Sequence, residues 1–223
     1  MHRLVSLSMV SLVLAGNVAW SQDDGGAEPC VYQVDAEGSD IRVLIYRAGV
    51  LSWLGHSHVI SVAQLEGTIY VHPELERSRF ELLIPVQGLV VDKPLLRREE
   101  GDEFSADLSA RDIARTRSNM LGKRVLNATQ YPTIRLTGTG PTDDGSELLL
   151  ELSIELLGAV IELQVPTALR LDGDILEATG AFRLSHGDLG MRPFTAMMGG
   201  LRVAEEMDFR YRVRAQRTPA MDE

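Results

Sequence analysis

Residues 203–213 read Val-Ala-Glu-Glu-Met-Asp-Phe-Arg-Tyr-Arg-Val, and the fold class follows from how this stretch is read. Val203, Glu205, Met207, Phe209, Tyr211 and Val213 form one mostly apolar set, while Arg202, Glu206, Asp208, Arg210, Arg212 and Arg214 form the alternate, charged set. Successive side chains of an extended chain point to opposite faces, so this is a strand with one face buried and one in water. Upstream, Leu176, Ala178, Gly180, Phe182, Leu184 and His186 repeat the pattern against Glu177, Thr179, Arg183 and Ser185. The same period marks 41–46, 65–71, 79–86, 134–139, 147–157 and 160–169, with a short run at 31–34. Asp143-Asp144-Gly145 and Asp172-Gly173-Asp174 separate consecutive runs and suit the positive φ angles of tight hairpins.

One interval departs from the alternation. Between 105 and 127, Ile113, Arg117, Met120, Leu121, Arg124 and Val125 fall at helical spacing, which predicts one helix or two short ones, ended before Pro132. About eight strands in sequential hairpins with one helical insertion fit an up-and-down barrel, whose closure removes exposed edges. A two-sheet sandwich shows the same alternation, so the pattern establishes an all-β domain and leaves both architectures open.

The first 21 residues carry His2 and Arg3, an apolar run over 4–15, and small residues at Ala19 and Ser21. This is the pattern of a secretory signal peptide, so the expectation is export to the periplasm or beyond. Asn17 stands where a lipoprotein site would need cysteine after Leu14-Ala15-Gly16, which argues against lipidation. The reading therefore divides the chain into a leader at 1–21, a tail at 22–30, one domain at 31–216 and a short tail at 217–223. Loss of Arg3 leaves 21 of the 22 Lys+Arg against 32 Asp+Glu, a net charge of −11, which argues against a nucleic-acid partner. Cys30 is the single cysteine, so no intrachain disulfide can form. The subunit number stays open, a dimer included.

Tyr131-Pro132-Thr133-Ile134 after the helical insertion, Leu157-Gly158-Ala159 leading into a strand, and Gly180-Ala181-Phe182 followed by Asp188-Leu189-Gly190 together resemble the YceI-like family. The likeness begins at Tyr32-Gln33-Val34-Asp35 and runs to about Val213. It implies a lipocalin-like, eight-stranded antiparallel β-barrel with a helical insertion, exported, holding a long isoprenoid lipid in an elongated apolar cavity. Two departures stand out. Arg47-Ala48-Gly49-Val50 and Leu54-Gly55-His56-Ser57-His58 replace the family's usual Lys-His-Leu-Gly stretch, and Leu189 sits where an aromatic residue is usual.

On this reading the ligand cavity is lined by Leu65, Ile69, Phe80, Leu82, Ile84, Leu150, Leu152, Leu163, Leu176, Phe182, Met207, Phe209 and Tyr211. Over the whole chain leucine and methionine are in excess and aromatics make up only 5%, which leaves an eight-stranded interior short of bulk. Arg97, Arg98, Arg111 and Arg115 gather in and before the helical insertion. They are read either as a solvated face or as a rim for an anionic headgroup and peripheral membrane contact. His56 and His58, two apart, could share a metal ion with His186, the alternative being a hydrogen-bonded polar cluster at the barrel mouth. The segment 191–198, with Phe194, Met197 and Met198, reads as an apolar flap or a packed loop. No nucleophile elbow or paired-base cysteine is present, so no catalytic residue and no cofactor is assigned. The expected function is a lipid carrier, store or sensor; the alternatives are a metal-binding protein and a hydrolase.

Overall fold

The computed structural model describes residues 28–143 and 148–219, so the leader, most of the N-terminal tail, and the turn at Gly145 lie outside the described residues. In chain order the strands are β1 (Cys30–Ala48), β2 (His58–Val62), β3 (Glu66–Val71), β4 (Arg79–Pro85), β5 (Leu89–Val91), β6 (Thr133–Asp143), β7 (Leu148–Leu156), β8 (Ala159–Pro166), β9 (Ala168–Asp172), β10 (Ile175–Ser185), β11 (Thr195–Ala196) and β12 (Leu201–Arg217). Between β5 and β6 stand two helices, α1 (Pro94–Glu99) and α2 (Ala110–Leu121). Every pairing is antiparallel.

Several strands are halves of one bent stave. β2 and β3 both pair with β1, at 42–45 and 30–33 respectively; β4 pairs with β3 while β5 pairs with β2; β8 pairs with β7 while β9 pairs with β10. Counting these as three bent staves and setting aside two-residue β11 leaves eight, each bonded to the next in sequence, and β12 returns to β1. The sheet thus curls on itself in up-and-down order, through the bend at Thr167 between β8 and β9. Past Thr179 the rest of β10 runs without a ladder to β8 among the described residues, which leaves a seam.

The two early runs expected at 31–34 and 41–46 are one strand. Its register slips between Asp35 and Asp40, where Asp35 Oδ1 accepts from the Gly38 N–H at 3.0 Å and Ser39 Oγ donates to the Asp35 carbonyl at 2.7 Å. An inserted bulge of this kind breaks the alternation without ending the strand, which is how two runs come from one element. The hairpin at Gly173 has the positive φ its sequence predicts, +58°, and the β7–β8 hairpin turns through Leu157 and Gly158, both left-handed. Helix α2 falls inside the predicted helical interval, capped by Ser109, whose Oγ accepts from the Asp112 N–H at 3.1 Å. Its apolar residues Ile113, Met120 and Leu121 pack on the core beside Leu89 and Leu126.

Two interior glycines shape the wall. A Cβ on Gly138 would stand 2.1 Å from the Glu151 carbonyl oxygen and 2.5 Å from the Phe80 ring; one on Gly180 would stand 2.4 Å from both the Pro166 carbonyl oxygen and the Tyr211 hydroxyl. Phe80 and Tyr211 are the cross-strand partners of these glycines, so each ring lies flat over the space its partner leaves.

Candidate ligand cavity

The inward side chains do not fill the barrel. They enclose a cavity of about 290 Å³ with an almost wholly apolar surface. Along β10 its wall runs from Leu176 through Ala178 and Phe182 to His186, just past the strand's end. At about 3.3 Å per residue that is about 33 Å of strand, or about 25 Å along a barrel axis inclined by about 40°. Leu75, Pro141 and Leu169 border one end, and Leu126, Leu189 and Met191 the other. Most of the lining is Val, Ile and Leu, with few large side chains to fill the space between the walls.

Eleven of the thirteen residues named from the sequence border this space: Ile69, Phe80, Leu82, Ile84, Leu150, Leu152, Leu176, Phe182, Met207, Phe209 and Tyr211. Leu65 and Leu163 do not; Leu65 is buried in the core, and Leu163 packs against that core. Further wall residues are Ile41, Val43, Ile45, Ile60 and Val62, from β1 and β2. The alternation of 41–46 points to the first three, whereas Ile60 and Val62 sit in a strand too short for its period to stand out. Leu189 also lies on the wall, an aliphatic side chain where the family resemblance leads one to expect a ring.

Phe182 and Phe209 stack with centroids 5.0 Å apart and planes 3° from parallel, and Tyr211 tilts against Phe182 at 6.4 Å. Tyr211 Oη lies 2.7 Å from Thr167 Oγ1 and donates to the Pro166 carbonyl at 3.2 Å, so the polar groups at the bend satisfy one another. Burial raises the Tyr211 hydroxyl's pKa above its ordinary value, against a smaller opposing effect of Thr167.

The histidines do not converge. His58 opens β2, and His186 follows β10, with β1 and β12 lying between those strands. His58 Nδ1 lies 2.6 Å from Asp92 Oδ2, and His186 Nδ1 lies 2.9 Å from the Glu205 carbonyl oxygen. Asp188 closes a turn by accepting from the Ser185 N–H and Oγ. His56 is exposed at the surface; partial burial, with His58 and Arg97 nearby, lowers its pKa from the ordinary value. No group of three or more His, Cys, Asp or Glu side chains among the described residues stands where it could hold a metal ion.

Arg97 corrects the expectation of a basic rim. It is 5 % exposed and donates to Asp92 Oδ1 at 2.6 Å, to the Ser57 carbonyl at 2.7 Å and to the Ala106 carbonyl at 3.1 Å. Asp92 is buried too, and also accepts from the Val59 N–H at 3.0 Å. This buried pair clamps α1 and the turn after it to β2. Arg98, Arg111 and Arg115 are exposed, with Arg115 3.7 Å from Asp112.

Fold and cavity together define the class: an up-and-down antiparallel barrel of lipocalin-like form, hollow and apolar within. No family model and no curated protein matches the chain. Solved structures do. BcnA of Burkholderia cenocepacia superposes with a TM-score of 0.59 at 13% identity, over 82% of this chain and 99% of its own. A polyisoprenoid-binding domain from Saccharophagus degradans gives 0.56 at 9% identity, over 85% and 99%. A variant of the Campylobacter jejuni YceI protein gives 0.51 at 9% identity, over 72% and 85%. The fold of this chain is that of the YceI-like barrels, as the sequence resemblance implies.

Proposed function

We propose that this protein is exported and holds a long apolar lipid, of isoprenoid type, inside its barrel as a carrier, store or sensor, with no chemistry performed on it. The observation that carries the reading is the elongated, almost wholly apolar cavity running the length of β10. An apolar chain laid along it gains roughly 0.8 kcal/mol for each CH₂ taken out of water. The polyisoprenoid-binding description of the Saccharophagus domain supports the ligand class. The hydroxyls of Thr167 and Tyr211 are bonded to each other and to backbone carbonyls, which suits a wall better than an acid–base pair.

Native mass spectrometry of protein taken fresh from its host tests both parts at once. The expected species is a chain beginning at or within a few residues of Gln22, carrying an added mass that organic solvent removes. A chain retaining Met1 overturns export, and a bare chain that takes up no added prenyl lipid overturns the lipid reading.

A further inference from the structure

Two loops at one end of the barrel are pinned together. The Leu51 N–H donates to the Gly200 carbonyl at 2.8 Å, and Gly49, which is left-handed at φ +95°, lies so close that a Cβ there would stand 2.5 Å from the same oxygen. Gly55 packs equally close against Leu201. What the paired loops turn outward is apolar: Val50 is 88% exposed, Trp53 70%, and Leu54, Phe194, Met197 and Met198 are exposed as well. Six exposed apolar side chains gathered on two joined loops are uncommon on a soluble monomer and mark a binding surface.

Two further observations name what it binds. Met197 and Met198 are consecutive and both left-handed, at φ +50° and +54°, a backbone disfavoured for side chains of this size. The chain thus bears local strain and exposes its longest apolar side chains at the same point, both unfavourable in water and the second reversed against hydrocarbon. The charge is equally uneven. In a chain of 32 carboxylates, segments 47–55 and 189–203 contain three arginines and no Asp or Glu. Arg47 pairs with Glu103 at 3.2 Å, but Arg192 and Arg202 are exposed and make no ion pair or side-chain hydrogen bond among the described residues. Arg202 stands opposite both Ala48 and Thr195 in the ladder, at the foot of both loops.

We infer that this face docks onto an anionic lipid bilayer surface. The methionines and Trp53 enter the headgroup boundary, where tryptophan is favoured, and Arg192 and Arg202 meet lipid phosphates. Met191, next to Arg192, lines the internal cavity, so the docked face adjoins the cavity's end. The docking stands independently of the cavity's occupant, whereas its use in lipid exchange rests on the function proposed above.

The test uses the chain from Gln22 onward, the mature form under the export proposed above, in which Trp53 is the sole tryptophan, mixed with vesicles of phosphatidylcholine alone or with phosphatidylglycerol. Co-sedimentation with the anionic vesicles and a blue shift of Trp53 emission are expected. Met197→Ser/Met198→Ser and Arg192→Glu/Arg202→Glu should each weaken apparent affinity by about tenfold or more. Phe182→Asp, which acts on the cavity, should bind vesicles like its parent, so that the two readings fail separately. Absence of vesicle binding, or binding unchanged in the methionine variant, overturns the inference. So does a concentration-dependent dimer that the methionine variant abolishes, since a second copy is then the occupant.

Discussion

Phe182→Asp is expected to remove retained lipid completely. Phe182 stacks face to face on Phe209, and its neighbours on the wall are Ala178, Tyr211 and aliphatic side chains. Its nearest charged neighbour in sequence, Arg183, lies on the alternate face and pairs there with Asp208 at 2.6 Å. Two arginines border the cavity, but Arg210 is paired with Glu100 and Arg79 lies over the Tyr70 ring, so a carboxylate at 182 has no dedicated counter-charge, and seating an apolar chain against it strips its remaining water. That penalty is several kcal/mol, against roughly 0.8 kcal/mol per CH₂ of the chain in contact with it. Phe182→Leu keeps the wall apolar and should retain lipid, which separates loss of the site from loss of the fold. Solvent extraction of both variants, with thermal melting as the folding control, makes the measurement. A folded aspartate variant with a full lipid complement contradicts the account.

Asp92→Asn should cause the largest loss of stability. Asparagine keeps the shape but removes the charge that compensates buried Arg97, and breaking a buried pair by removing one partner costs about 3–5 kcal/mol. For a domain of this size that lowers the melting temperature by about 6–20 °C. The pH dependence follows from the same contacts. Burial pushes the Asp92 carboxyl up, but hydrogen bonds from His58, the Val59 N–H and Arg97 outweigh it and hold the group below its ordinary value of 3.8. On acidification the unfolded chain takes up this proton first. The stabilisation is therefore complete above about pH 5 and is lost progressively as pH falls from there through the lower folded value. Wild-type stability should fall more steeply with acid there than that of Asp92→Asn. A variant melting within about 2 °C of wild type contradicts the role assigned to the pair.

How far such features can be read from sequence depends on the range of the interaction that makes them. The strand periods of 203–213 and 176–186 are local and one-sided, so β12, β10 and eleven wall residues were legible. The bends were not. Whether 58–71 is one stave or two depends on which part of β1 each half meets, and three-residue β5 is too short to carry a period. Arg97 shows the limit most clearly. Pro94 starts a helix, with Arg97 and Arg98 in its last turn, and which arginine turns inward is decided by the Asp92 carboxylate, held by a φ of +56° that no pattern announces. The same-face spacing of His56 and His58 requires a strand that runs through His56. β2 begins only at His58, and that ring is taken up by Asp92 instead.

The central claim is that the cavity takes a long chain, and the most direct measurement is calorimetric titration of lipid-stripped protein with prenyl alcohols of increasing length. Burial at roughly 0.8 kcal/mol per CH₂, less the cost of ordering the chain, predicts an affinity gain of about tenfold or more per five-carbon unit. The gain should level off once the chain spans the roughly 25 Å between the two ends of the barrel. Affinity that does not change with chain length, or no binding at any length, contradicts the account.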